Sequence, residues 1–121
     1  MRLLFIDDDE DTVVLFKALL EKYGYSVEGC NLPDQCVGIA KTFRPDVIFL
    51  DLLMPINGFE IIDELRADCE LKDIPVVLFT GYCPEFVRSQ CDDLGVELLI
   101  KPASLAQIDS ILGRVQNRPM A

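Results

Sequence analysis

Short, continuous apolar runs alternate along the chain with longer amphipathic segments, and this unit repeats five times. Apolar runs without polar residues at alternate positions are typical of strands buried on both faces of a parallel sheet. The pattern predicts five strands, at residues 3–6, 26–30, 47–50, 76–79 and 97–100.

The first helix is predicted from a stripe of mostly apolar positions over residues 11–23. These positions recur at intervals of three and four residues, as one face of a helix requires. They are Thr12, Leu15, Phe16, Leu19, Leu20 and Tyr23. Gly24 follows directly and favours the end of the helix there.

The other helices are predicted from residues that favour helix ends. Pro33 and Pro84 stand where the first turns of the second and fourth helices should be, and a missing N–H costs nothing at those positions. The third helix is predicted over residues 58–67. Ser104 is the expected N-cap of the fifth, which should run to about residue 116.

Five strand–helix units need right-handed crossovers that cover both faces of the sheet. The predicted fold class is therefore α/β, a doubly wound (βα)5 three-layer sandwich around a central five-stranded parallel sheet. The 121 residues fit one domain, expected over residues 1–121 with no output domain after it. In such folds ligands bind beyond the carboxyl ends of the strands.

A strong negative charge limits the classes of partner. The chain carries a formal net charge of −10 and no histidine. Because phosphate recognition needs clustered Lys and Arg, no nucleic-acid partner is expected. No apolar run reaches the roughly 18 residues of a membrane span and the start lacks a signal-peptide pattern, so we expect a cytoplasmic protein with no membrane partner.

The cysteines are Cys30, Cys36, Cys69, Cys83 and Cys91, an odd number with no C-x-x-C pair. This spacing favours neither a disulfide framework nor a zinc site. We expect reduced thiols that act mostly as small apolar side chains in or near the core, with Cys83 exposed in a loop.

Chemically capable residues follow four of the five predicted strands. Three aspartates at positions 7–9 follow the first strand, Asp51 follows the third, Thr80 the fourth and Lys101 the fifth. In a parallel sheet these strand ends lie at one edge, so the side chains should converge. Carboxylates brought together repel one another, and a stable site needs a cation among them, for which Mg²⁺ suits hard oxygen ligands.

A carboxylate beside Mg²⁺ can act as a nucleophile toward phosphorus, and Asp51 is best placed to do so. Lys101 would then offset charge on the transferred group, and the Thr80 hydroxyl would bind it. Simpler interpretations exist for each residue alone. Asp8 and Asp9 could cap the first helix, Lys101 could form a surface ion pair, and Thr80 could be an ordinary strand residue.

Four segments together resemble the response-regulator receiver family: FIDDDED, LDLLMPINGFE, VVLFTG and IKPAS. Residues 51–58 are similar to the family pattern D-x-x-M-P-x-x-G, which is specific when the acid pair and the Lys-Pro pair accompany it. The resemblance covers essentially the whole chain. It implies a flavodoxin-like strand order 2-1-3-4-5.

The resemblance also implies roles for individual residues. Asp51 would be the phosphoacceptor, Asp8 would bind Mg²⁺ directly and Asp7 mainly through water. The main-chain carbonyl of Leu53 would complete the protein ligands of the metal. Thr80 and Lys101 would bind the phosphoryl oxygens, and the peptide bond before Pro102 would be cis.

Partners follow from the same resemblance. The chain has no histidine, so a donor imidazole must come from a histidine kinase or a histidine phosphotransfer protein. The receiver would catalyse this transfer and its own dephosphorylation, as a signalling phosphoacceptor and not a conventional enzyme. A conformational change would then be read by a downstream target protein.

Four positions depart from the family pattern. Leu98 stands where many receivers have an aromatic switch residue, which predicts weaker coupling between phosphorylation and the surface of the fourth and fifth helices. Leu53 and Tyr82 flank the expected path of an attacking water, and their bulk predicts slow self-dephosphorylation. Gly81 stands where alanine is common and is interpreted as a flexible turn.

Two other functions share parts of this pattern. A phosphatase of the haloacid-dehalogenase type needs D-x-D-x-T near the first strand, and residues 7–11 lack the threonine. A pseudo-receiver would recruit a partner through an unmodified surface without phosphorylation, an alternative that Leu98 keeps open.

Overall fold

The computed structural model describes residues 1–51, 58–81, 84–101 and 103–116. Its strands are β1 Arg2–Ile6, β2 Ser26–Cys30, β3 Val47–Leu50, β4 Val76–Thr80 and β5 Glu97–Ile100. Its α-helices are α1 Glu10–Glu21, α2 Cys36–Phe43, α3 Gly58–Ala67, α4 Glu85–Leu94 and α5 Leu105–Gln116. Each predicted strand is present within one residue of its predicted ends.

All four strand pairings are parallel, and the sheet order is β2-β1-β3-β4-β5. The predicted doubly wound α/β fold and its strand order are confirmed. The register aligns Ile6 with Leu50, and Thr80 with Ile100, so the carboxyl ends of these strands lie side by side. This alignment brings the residues that follow β1 and β3 to the same edge.

Successive strand residues point to opposite faces of the sheet and fill two separate cores. One core packs residues such as Ile6, Leu50 and Leu78 against α2, α3 and α4. The other packs Phe5 and Phe49 against α1 and α5. Because the strands contribute apolar side chains to both cores, helices cover both faces of the sheet, which gives three layers.

Helix α1 presents part of the predicted stripe to the sheet: Leu20 is fully buried and the Phe16 ring stacks on Phe5 of β1. Leu15 is 64% exposed, and Tyr23, which lies beyond the end of the helix, is 60% exposed. Val13 faces the sheet as well, and a Cβ built on Gly29 of β2 would collide with its Cγ1 atom. The absence of a side chain at Gly29 lets α1 approach β2 closely at Val13.

Two helix starts use side-chain caps. Asp9 caps α1, accepting hydrogen bonds from the Asp11 amide and the Thr12 hydroxyl. Ser104 begins α5 with a reciprocal pair: its Oγ accepts from the amide of Gln107 at 3.2 Å, and its own amide donates to the Gln107 side chain at 2.8 Å. The predicted cap at Ser104 is therefore present.

Helices α2 and α4 begin slightly later, relative to their prolines, than predicted. Pro33 begins a short 3₁₀ helix, residues 33–35, that leads into α2, and Pro84 is the N-cap of α4, one residue before its first turn. Both positions still tolerate the missing N–H.

The cysteines divide between core and surface. Cys30, Cys36 and Cys91 are buried free thiols and Cys69 is exposed, whereas Cys83 lies outside the described residues. A hydrogen bond with Cys36 lowers the pKa of Cys30 to about 7. The same contact, together with burial, raises the pKa of Cys36 above its usual range.

Across the parts of the chain that the structure describes, the helices are too short or too polar to cross a lipid bilayer.

Candidate functional site

Three carboxylates meet where β1 and β3 end. Main-chain hydrogen bonds hold the segments that carry them: the Asp7 amide donates to the Cys30 carbonyl at 3.0 Å, and the Asp51 amide donates to the Ile6 carbonyl at 2.9 Å. One carboxylate oxygen from each of Asp7, Asp8 and Asp51 lies within 4.8 Å of the other two. We call these three residues the acid cluster.

The three members of the acid cluster differ in their access to solvent. Asp7 is only 3% exposed, Asp51 is half-buried and Asp8 is exposed. The Asp7 Oδ1 atom accepts the amide of Asp9 at 3.0 Å, which fixes the orientation of the buried carboxylate. The cluster therefore runs from a fixed inner carboxylate to an outer one in contact with water.

Lys101 brings a positive charge into the acid cluster from the end of β5. Its Nζ lies 2.7 Å from Asp7 Oδ2 and 3.4 Å from Asp51 Oδ2. The Lys101 amide donates to the Thr80 carbonyl at 2.9 Å, which anchors the residue to the neighbouring strand. The sequence placed this ammonium next to Asp51; the structure shows that it bridges both carboxylates and lies closer to Asp7.

Opposing effects act on the protonation of Lys101. Burial lowers the pKa of its ammonium, but the hydrogen bond to Asp7 and the charge of Asp51 more than offset that loss, so the pKa is raised. The side chain stays protonated at neutral pH and can stabilise negative charge in the site.

Phe79 is a site residue that the sequence analysis missed. Its ring centroid lies 5.2 Å from the Lys101 Nζ atom, within the range of a cation–π contact. The ring also packs edge-on against Phe16 and Phe49. The ammonium therefore contacts the aromatic cluster of the core that lies under α1 and α5. In the sequence, the only signal for this contact is an aromatic residue one position before Thr80.

Thr80 is the last residue of β4 and is 1% exposed. In the sheet order, β4 lies between β3, which Asp51 follows, and β5, which Lys101 follows. Gly81 follows Thr80, and a Cβ built there would lie 3.9 Å from the Lys101 Cβ, an ordinary contact. An alanine therefore fits at position 81.

Asp9 lies outside the acid cluster. As the N-cap of α1, it uses its carboxylate to hold the helix start, and the Thr12 hydroxyl lowers the pKa of Asp9. The capping interpretation holds for Asp9, whereas Asp8 faces the other two carboxylates.

The donor set of the acid cluster fits a hard divalent cation. Mg²⁺ prefers oxygen ligands and is commonly held by one or two carboxylates while it keeps several waters. Asp7, Asp8 and Asp51 offer carboxylate oxygens at close range, and Asp8 is open to solvent. The ammonium of Lys101 alone does not balance three carboxylates.

The remaining predicted positions fall in two groups. Leu98 of β5 is half-buried and packs against the core formed with α2, α3 and α4. Leu53, Tyr82 and Pro102 lie outside the described residues, as does the peptide bond that joins Lys101 to Pro102.

Comparisons with known proteins agree with this geometry. A family model for the response regulator receiver domain matches residues 3–112. The polar-differentiation response regulator DivK of Brucella anthropi is 30% identical over 116 residues, which cover 91% of this chain and 94% of DivK. Protein PilH of Pseudomonas aeruginosa is 35% identical over 80 residues, 65% of this chain and 66% of PilH.

Longer relatives match over part of their length. The DNA-binding dual master transcriptional regulator RpaA of Synechocystis is 33% identical across 99% of this chain, which spans 52% of RpaA. Among solved structures, the chemotaxis protein CheY4 of Vibrio cholerae superimposes with a TM-score of 0.86 at 26% identity, covering 94% of this chain and 97% of CheY4.

Proposed function

The chain belongs to the response regulator receiver domain family, and from this premise we propose that Asp51 accepts a phosphoryl group from a histidine of a partner protein. Receiver domains are regulatory parts of two-component systems and not conventional enzymes. The observation that carries the proposal is the acid cluster bridged by Lys101, with Nζ 2.7 Å from Asp7 and 3.4 Å from Asp51.

Asp51 is the member of the acid cluster best suited to act as nucleophile. It is partly open to solvent, so an incoming phosphoryl group can reach it, whereas Asp7 is buried and held by the Asp9 amide. In the transfer a carboxylate oxygen of Asp51 attacks phosphorus, the bond from phosphorus to the donor imidazole breaks, and the imidazole nitrogen leaves with the electron pair. The product is an acyl phosphate on Asp51.

The other residues have distinct tasks. Asp7, Asp8, Asp51 and the carbonyl of Leu53 would hold Mg²⁺, which offsets charge on the transferred group when bound. Lys101 contacts the carboxylate of Asp51 at 3.4 Å, which supports the proposal that its ammonium pairs with a phosphoryl oxygen after transfer. The Thr80 hydroxyl is proposed to donate to another phosphoryl oxygen, which would couple β4 to the state of Asp51.

Residues 1–121 contain no histidine, so in this proposal the donor imidazole lies outside them. We propose a histidine kinase or a histidine phosphotransfer protein as donor, and a docking protein as the downstream target.

Leu98 sets the strength of the output in this proposal. It packs against the core beside α4 and has no aromatic ring that could turn between an inner and an outer position. We expect small NMR shifts on the α4 to α5 surface when beryllofluoride occupies the site, and larger shifts in a Leu98→Tyr variant. Large shifts in the wild-type protein would contradict this part of the proposal.

Slow loss of phosphate is the second expected consequence. The bulk of Leu53 and Tyr82 would shield the phosphoryl group, and the Leu53 side chain could not orient an attacking water by a hydrogen bond as an asparagine amide could. We expect Leu53→Asn to lose its phosphate faster than wild type, measured by the decay of the phosphorylated band. Equal rates would count against the idea.

Phosphate-affinity electrophoresis after incubation with acetyl phosphate and Mg²⁺ tests the central proposal. Wild type should give a shifted band that Asp51→Asn and chelation by EDTA both abolish. Asp73→Asn is the matched control, because Asp73 is exposed before the amino end of β4, at the opposite edge of the sheet. An unshifted wild-type band would favour a pseudo-receiver that binds partners without phosphorylation.

A further inference from the structure

Two cysteines face each other next to β1, the strand that Asp7 follows. Cys30 ends β2 and Cys36 begins α2, and their sulfur atoms are 3.4 Å apart. Both thiols also contact one acceptor, the Leu32 carbonyl, at 3.1 Å from Cys30 and 3.4 Å from Cys36. The connection between β2 and α2 therefore folds so that the two sulfurs share one small volume.

This sulfur pair lies just below the surface. Cys30 is 4% and Cys36 0% exposed, but Leu32, whose carbonyl both thiols contact, is 48% exposed. β2 is an edge strand of the sheet, and both thiols contact the main chain of the segment that joins it to α2. A small oxidant can reach the pair through a local opening of that segment.

We propose that Cys30 and Cys36 form a reversible dithiol–disulfide pair that is oxidised by peroxide. A disulfide needs a sulfur–sulfur distance of about 2.05 Å, so closing the bond requires the two sulfurs to approach by about 1.4 Å. Changes in side-chain torsion angles supply a movement of this size. Cys69, exposed after α3, and Cys91, buried in α4, lie on other elements.

Oxidation of the pair by hydrogen peroxide takes two steps. The sulfur of Cys30, the more exposed of the two, attacks one oxygen of hydrogen peroxide; the O–O bond breaks, and the leaving hydroxide takes up the thiol proton as water. Cys30 is then a sulfenic acid. The sulfur of Cys36 attacks the Cys30 sulfur, the S–O bond breaks, and the second hydroxide leaves as water with the Cys36 proton. Two thiols lose two electrons and one peroxide gives two waters.

The pair is one hydrogen bond away from the acid cluster. The Cys30 carbonyl accepts the Asp7 amide at 3.0 Å. A disulfide would tie the start of α2 to the strand end that positions Asp7, so the oxidation state of the pair acts beside the proposed phosphoacceptor site.

Peptide mapping of the full chain tests the inference. The folded protein is treated with increasing hydrogen peroxide until Cys69 is oxidised, then quenched, alkylated with iodoacetamide in denaturant and digested with trypsin. The tryptic peptide 23–41 contains Cys30 and Cys36 and no other cysteine. We expect this peptide to lose two hydrogen atoms and resist alkylation, and dithiothreitol added before alkylation should restore both thiols.

Cys69 serves as the internal control, since it is the single cysteine of tryptic peptide 67–72. The inference is overturned if peptide 23–41 carries two alkylated thiols while Cys69 is oxidised. A sulfinic or sulfonic acid on Cys30 or Cys36 in place of the disulfide overturns it equally, because a neighbouring thiol at 3.4 Å should intercept the sulfenic acid first.

Thermal unfolding gives a second readout. A cross-link that fits the native geometry restricts the unfolded chain, so peroxide treatment should raise Tm by about 5 to 10 °C. The Cys36→Ser variant, treated identically, should show no rise. A lower Tm in the cross-linked wild type would mean that the bond strains the fold, and would contradict a pair built into the native structure. Neither readout depends on phosphorylation of Asp51.

Discussion

Replacing Lys101 with methionine removes the ammonium from the acid cluster and keeps a side chain of similar length. The wild-type ammonium contacts Asp7 at 2.7 Å and Asp51 at 3.4 Å. Asp7 is 3% exposed and cannot replace this partner with bulk water. We therefore expect Lys101→Met to destabilise the protein in buffer without divalent cations.

The size of the loss follows from the burial of the pair. Breaking a fully buried ion pair costs about 3–5 kcal/mol, whereas an exposed pair contributes at most about 1 kcal/mol. The Lys101 side chain is 25% exposed and that of Asp7 is 5% exposed, between these limits. We expect a loss of about 1–3 kcal/mol in the free energy of unfolding.

Magnesium should reverse part of this loss. Without the competing ammonium, the three carboxylates should bind Mg²⁺ more tightly than in the wild type. A ligand present at ten times its dissociation constant stabilises the native state by about 1.4 kcal/mol. We expect the gain from Mg²⁺ to be larger in Lys101→Met by about 1 kcal/mol, which corresponds to about fivefold tighter binding.

The assay is urea unfolding followed by circular dichroism, with EDTA or with a fixed Mg²⁺ concentration. Lys41→Met is the matched control, because Lys41 pairs with Asp68 at a similar distance, 2.8 Å, on the surface of the protein. That variant should lose little stability and should gain the same amount from Mg²⁺ as the wild type. An equal gain from Mg²⁺ in all three proteins would refute competition between the Lys101 ammonium and Mg²⁺ at the acid cluster, and no gain in any of them would refute the metal site.

Three further substitutions test the packing, a titrating group and a helix cap. Gly29→Ala should cost about 1–3 kcal/mol in urea unfolding, because its Cβ collides with Val13, and a second change, Val13→Ala, should recover part of the loss. Burial and the hydrogen bond to Asp109 raise the pKa of Tyr25. The contribution of the protonated phenol to the free energy of unfolding is therefore complete below about pH 10 and is lost above it. Tyr25→Phe should reduce this alkaline loss of stability. Ser104→Ala should cost about 0.5–2 kcal/mol through the lost cap of α5.

Each of these changes has a control of the same chemical type. Gly38→Ala, where a Cβ meets nothing within 4 Å, should not destabilise α2. Tyr23→Phe removes a phenol from an exposed position and is the control of the same chemical type for Tyr25→Phe. Ser110→Ala, inside α5, should not lower stability because alanine favours helix interiors. Losses as large as those of the test variants would contradict the assigned contacts.

The strands could be predicted closely because their signal is local. Both faces of the sheet are covered, so a strand such as β3 is apolar at every position, and its ends at Val47 and Leu50 match the apolar run. The rotation of α1 could not be predicted in this way. Phe16 and Leu20 of the predicted stripe do pack on the sheet, but Leu15 is exposed while Val13 lies against Gly29, a contact between distant segments that helical spacing does not reveal.

Convergence of the site residues could be predicted for a similar reason. Parallel strands end at one edge, so Asp7, Asp51 and Lys101 had to lie near one another. The contacts within the site could not be predicted from the sequence, because the preference of Lys101 for Asp7 and its contact with Phe79 depend on side-chain torsion angles. The facing sulfurs of Cys30 and Cys36 were missed as well, since they meet only through the path of the connection after β2.

Chemical mapping of the phosphoryl group tests the central claim most directly. After reaction with acetyl phosphate and Mg²⁺, borohydride reduces an aspartyl phosphate to homoserine, and tandem mass spectrometry locates the altered residue. The tryptic peptide 42–66 carries Asp46, Asp51 and Asp63, so it contains its own controls. We predict homoserine at position 51 alone. An unmodified peptide, or homoserine at position 46 or 63, would contradict the assignment of Asp51 as the phosphoacceptor.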